Sequence, residues 1–93
     1  MKLHLPASVP SEGARRVAQW VMGLPGGLSE AAKVLSMPAS WVQRIVEGDM
    51  VPGLATGTRL HLLMGLRARE FRAKPTGWWF EDAAGAPLQR RAA

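Results

Sequence analysis

Two histidines, seven acidic residues and no cysteine make up the ligand and acid–base groups of this 93-residue sequence. The absence of cysteine removes disulfides, iron–sulfur clusters and thiolate zinc sites together, and it fits a reducing compartment. His4 and His61 alone make a poor metal site, and His61 sits in an apolar helical pattern that suits a packing or surface residue better than a catalyst. Glu81 and Asp82 are the one adjacent carboxylate pair in the tail. Neighbours on a strand point to opposite faces, so they do not form an acid–base couple. Gly26-Gly27 and Gly48 lack the Lys-Ser/Thr or Gly-x-Gly-x-x-Gly surroundings of a phosphate-binding loop and mark helix boundaries instead. No catalytic residue, metal ligand or cofactor is expected, and a chain of this length buries too little surface for a two-layered enzymatic cleft.

The charge balance is more informative. Twelve Lys and Arg against seven Asp and Glu give a formal charge of +5. Such an excess favours a polyanionic partner, most simply nucleic acid, although an acidic protein or a membrane surface would also suit it. No apolar run approaches the roughly 18 residues of a membrane span, and Met1–Pro6 lacks the apolar centre of a signal peptide. A cytoplasmic, nucleoid-associated protein is expected, with no membrane partner.

Whatever binds must be positioned by helices. Residues 1–10 carry two prolines and no helical period, and read as an arm in which Leu3 and Leu5 alternate with Lys2 and His4, as in a short strand. Ser11 is a good N-cap, after which Val17, Trp20, Val21 and Leu24 recur at i, i+3, i+4 and i+7. That first helix stops at Leu24-Pro25-Gly26-Gly27. A short second helix, Leu28 to Leu35, turns Ala31, Ala32 and Leu35 inward. Pro38 is acceptable only in a first helical turn, so a third helix starts there, runs to Glu47 and stops at Gly48. Leu54, Leu60, Leu63 and Met64 indicate a fourth helix beyond a loop at residues 50–53, and Leu66 to Arg72 a fifth. Trp78-Trp79-Phe80-Glu81 and Leu88-Gln89-Arg90 flank a turn and read as a β-hairpin.

Two short helices joined by Ser36-Met37 have the dimensions of a helix-turn-helix. Ala32 is the small residue at the crossing, and Met37, Val42 and Ile45 are the apolar anchors. From Glu30 to Gly48 the sequence resembles, without a gap, the phage-repressor (Cro/Xre-type) family of helix-turn-helix proteins. The likeness continues through Val51-Pro52-Gly53-Leu54, where that family often has Asn-Pro-Ser-Leu, and Met64-Gly65-Leu66, where it often has Leu-Gly-Val. It covers roughly two-thirds of the chain. Gly26-Gly27 is similar to the YdaS-like branch of these regulators. The sequence departs from the family at Ser36, where Gly is common, and at Gly57, where a helix former is usual.

The resemblance implies an all-α, five-helix, lambda-repressor-like domain over residues 11–74, to which the residue pattern adds the arm at 1–10 and a short C-terminal hairpin at 75–93. It also implies a sequence-specific transcriptional regulator that binds double-stranded DNA, a repressor of phage or bacterial origin. The third helix would lie in the major groove, with Pro38, Ala39, Ser40, Gln43 and Arg44 turned to base edges. Gln43 would pair with adenine, Arg44 with guanine or a phosphate, and Ala39 would touch a thymine methyl. Phosphates would be held at the start of the second helix by Leu28 and Ser29, helped by Lys33, Trp41 and Met50, with Arg15 and Arg16 as more distant candidates. Trp41 suits the edge of the core equally well. Arg67, Arg69, Arg72 and Lys74 read as a solvated face.

One such helix reads only a few base pairs, at about 1–3 kcal/mol each, so a homodimer on an inverted-repeat operator is expected. Trp78, Trp79 and Phe80 are the expected dimer contact, with Trp79 facing opposite to the other two, and the helical domain is expected to fold without residues 76–93. Two alternatives remain open: the antitoxin of a toxin–antitoxin pair, whose tail would hold a protein partner, and an interaction module of the same fold that does not bind DNA.

Overall fold

The computed structural model describes residues 2–80. Ser11 sets the first helix: its Oγ accepts the Ala14 N–H at 3.0 Å, and α1 spans Glu12–Gly23. After the Pro25-Gly26 turn, α2 spans Gly27–Leu35. Ser36 ends α2 in the left-handed region (φ 54), with Met37 N–H bonded to Ala32 O at 3.0 Å and Ser36 N–H to Lys33 O at 3.2 Å. This pattern closes the last turn and redirects the chain. Pro38, extended at φ −61 and ψ 144, caps α3, Ala39–Glu47, and Gly48 (φ 84) stops it. A loop leads to α4, Leu54–Met64, which Gly65 ends at φ 68.

The core sits where α1, α2 and α3 meet. It is built of Ala14, Val17, Ala18 and Val21 from α1, Leu28, Ala31 and Leu35 from α2, and Val42, Ile45 and Val46 from α3, closed by Leu60, Leu66 and Trp79. The helix crossing is sealed by Ala31, which is fully enclosed, whereas Ala32, the residue expected there, is half-buried.

Among the described residues the only regular structure is helical, in keeping with an all-α fold, but three expectations need correction. The fifth helix is a single 3-10 segment, Ala68–Arg72. Arg67 is extended, and its N–H is taken by the Glu70 carboxylate at 2.6 Å. Five residues cannot close enough i→i−4 bonds to repay helix nucleation. Phe71 is instead pressed on α1 at Gly13, where a Cβ would stand 2.6 Å from the ring. Second, Trp78 to Phe80 form no strand: Trp79 and Phe80 lie in a turn, with Trp79 drawn into the core. The return strand at residues 88–90 lies outside the described residues. Third, the arm forms no strand, although Lys2 and His4 are exposed while Leu3 and Leu5 are half-buried.

Candidate nucleic-acid interface

The outward side of α3 is a stripe. Ser40, Trp41, Arg44 and Glu47 are exposed, Pro38 is exposed at its start and Ala39 is half-buried. The opposite side, Val42, Ile45 and Val46, is in the core. Arg44 makes no ion pair among the described residues, so its guanidinium is available to an external acceptor. Trp41 keeps about half its surface in water.

Gln43 does not join that stripe, and its expected base-reading role is corrected on geometry. The residue is 7% exposed. Its Oε1 accepts the His4 N–H at 2.8 Å and its Nε2 donates to the His4 carbonyl at 2.8 Å. Both ends of the amide are thus engaged by one residue of the arm, in the manner of a neighbouring strand.

At the start of α2, the Leu28 and Ser29 N–H groups precede the first i→i−4 bond, which Glu30 makes to Gly26 at 3.4 Å. The Leu28 side chain belongs to the core, so only its backbone can face an anion, while Ser29 is exposed. Glu30 folds back to accept the Gly26 N–H at 2.9 Å. Lys33 is exposed and Met50 half-buried in the loop after α3.

Two cations considered for phosphate contact are structural. The Arg15 guanidinium donates to both Glu12 carboxylate oxygens, at 2.8 and 2.9 Å, and to Thr76 Oγ1 at 2.8 Å. Thr76 N–H and Oγ1 in turn donate to Glu12 Oε1 at 2.9 and 3.0 Å. The Arg15 bonds hold the Glu12 carboxyl down at about 2, against the upward push of its burial, and the Thr76 bonds add to the effect. Arg16 donates to the Met64 carbonyl at 2.6 Å and to Glu70 at 3.2 Å. Arg67, Arg69, Arg72 and Lys74 are exposed.

The expected aromatic dimer contact divides. Trp79 is 1% exposed, its Nε1 donates to the Pro6 carbonyl at 3.0 Å, and its own carbonyl accepts from Gln19 Nε2 at 3.0 Å. It is a core residue and is removed from the interface set. Trp78 and Phe80 stay 44% and 45% exposed. The opposed facing expected of Trp79 is present, produced by a turn.

Sequence reasoning missed Arg59, the one charged residue of α4. It donates to the Val34 carbonyl at 3.1 Å and Ser36 Oγ at 2.7 Å, tying α4 to the turn before α3. A lone formally charged residue in this helix was the available signal. Also missed was the apolar groove between α4 and the 3-10 segment, lined by Leu54, Gly57, His61, Leu66 and Phe71, with Leu54 90% exposed beside it.

Among the described residues, no cluster of three or more His, Asp or Glu is placed to hold a metal ion, and no helix is long and apolar enough to cross a membrane. In comparisons with family models, curated proteins and solved structures, no match to this chain was found.

Proposed function

We propose that the chain is a helix-turn-helix regulator that binds double-stranded DNA, reads it with α3, and represses transcription in the cytoplasm from the nucleoid. The observation that carries this reading is the exposed stripe of Ser40, Trp41 and Arg44, set on a helix whose other side is core and whose N-terminal end follows a tight left-handed turn at Ser36. A stripe with one unpaired arginine and a hydroxyl suits base edges and phosphates. The formal charge of +5 adds attraction for the polyanion.

Pro38, Ala39, Ser40 and Arg44 are the proposed base-facing residues. The backbone of Leu28 and Ser29, with Lys33, Trp41 and Met50, supplies the proposed phosphate contacts. Two copies meeting through Trp78 and Phe80 would bind paired half-sites of an inverted repeat.

A mobility shift on random duplex at low and high salt tests the reading. A DNA binder loses affinity steeply as salt rises, and retention of the protein by duplex independent of salt, or no retention at all, would overturn it. The groove beside Leu54 favours a second reading, a protein-interaction module or an antitoxin that holds a protein partner.

A further inference from the structure

The arm is fixed to the helical domain at three separate places. The Gln43 amide holds His4 by two bonds of 2.8 Å. Trp79 Nε1 holds the Pro6 carbonyl at 3.0 Å. Pro10 lies against Gly48 so closely that a Cβ there would stand 2.6 Å from the proline ring. With Leu3 and Leu5 turned inward, the alternation of an extended chain sends Lys2 and His4 outward. Lys2 thereby comes to line a hollow with Met22, Pro25, Gly26, Gly27 and Leu28, at the start of α2.

We infer that Gln43 is a positioning residue: by clamping the arm along α3 it holds Lys2 beside the start of α2 as an additional phosphate contact. The inference rests on the DNA-binding reading above. On α3, Gln43 stands about 60° round the helix from Ser40, at the border between core and stripe. A chain clamped there runs along the edge of the surface that α3 presents. The clamp matters because a free arm would lose conformational entropy when DNA ordered it, whereas a held arm has lost that freedom already. A single cation beside phosphates carries no sequence information, so its signature lies in salt dependence and not in base preference.

The test uses the full chain and a duplex selected by the wild-type protein from a randomised pool. Affinity is measured against salt concentration for wild type, Lys2→Ala, Gln43→Ala and the double variant. Lys2→Ala is expected to reduce the slope of log affinity against log salt by about one. Gln43→Ala should reduce it by a similar amount with base preference unchanged, and Lys2→Ala should then add nothing further, a non-additivity that a purely structural role for Gln43 would not produce. An unchanged slope in Lys2→Ala overturns the inference. So does a Gln43→Ala protein that keeps its slope and changes preference at one base pair, which would make Gln43 a base reader. If Gln43→Ala does not fold, Gln43→Glu takes its place, since it keeps an oxygen for the His4 N–H and loses the donor to the His4 carbonyl, and an unchanged slope in that folded variant overturns the inference. A wild-type protein that retains no duplex overturns the DNA-binding reading itself, a result distinct from binding with an unaltered Lys2→Ala slope.

Discussion

The Trp79 indole N–H and the Pro6 carbonyl, 73 positions apart in sequence, are joined at 3.0 Å, so the arm before α1 and the segment after the 3-10 turn hold each other over the helical core. Trp79→Ala opens a large cavity and leaves the Pro6 carbonyl without its indole donor. A loss of about 3–5 kcal/mol is expected, read from urea denaturation. Removing residues 76–93 takes Thr76 and Trp79 away together, so the shortened chain is expected to unfold, not to persist as a separate helical domain. A cooperative, near-wild-type melt of the shortened chain would refute this.

Trp78 and Phe80 should behave in the opposite way. Both are about half exposed, so Trp78→Ser and Phe80→Ser are expected to change stability by less than about 1 kcal/mol. If they form the dimer contact, light scattering of the double variant will give the mass of one chain where wild type gives two. A double variant that remains dimeric would move the contact to the groove beside Leu54.

Acid should loosen the joint between α1 and Thr76. Glu12 is held at about 2 in the folded protein, well below the ordinary value of 4.5 it regains on unfolding. Its contribution is therefore fully present above pH 4.5 and is lost as pH falls toward 2, with an upper bound of about 3 kcal/mol. Stability measured between pH 6 and pH 2 should fall, and Glu12→Gln should be weaker at pH 6 and flatter over that range. Equal pH profiles for the two proteins would show that Glu12 is not the titrating group.

The local signals were legible where one short segment decides its own conformation. Ser11 capped α1 as its hydroxyl and position required, Pro38 marked the start of α3 although it stands extended just before the first turn and not in it, and Gly48 was free to take a positive φ. What failed depended on contacts distant in sequence. Gln43 lies at the border of the α3 stripe, and only a segment 39 residues away decides whether it is covered. Arg15 and Glu12 have the i, i+3 spacing of an ion pair, yet the joint they form is completed by hydrogen bonds with Thr76, 61 positions beyond Arg15. The aromatic run at 78–80 carries strand propensity, which lost to the burial of one indole.

Gly48 should tolerate no side chain. Its φ of 84 strains any L-residue by about 1–2 kcal/mol, and an added Cβ meets Pro10 at 2.6 Å. Gly48→Val should therefore cost more than the backbone strain alone and dislodge the arm, read as faster amide exchange at His4. Protection at His4 equal to wild type would show that the arm is held without this contact.

Arg44 is the sharpest test of the recognition surface, because its removal should separate binding from folding. The side chain is exposed and makes no ion pair among the described residues, so Arg44→Ala should leave the melting temperature within a degree or two of wild type. Binding to the selected duplex should weaken by about 1–3 kcal/mol. Arg69→Ala provides the control, a second exposed arginine on the 3-10 segment and away from α3. If the two arginines contribute equally, attraction is spread over the basic surface and α3 has no special part in it. If Arg44 alone matters, its base preference decides its role: loss of discrimination at one guanine marks a base contact, while a uniform loss across sequences marks a phosphate contact. Unchanged binding in Arg44→Ala would remove α3 from the interface.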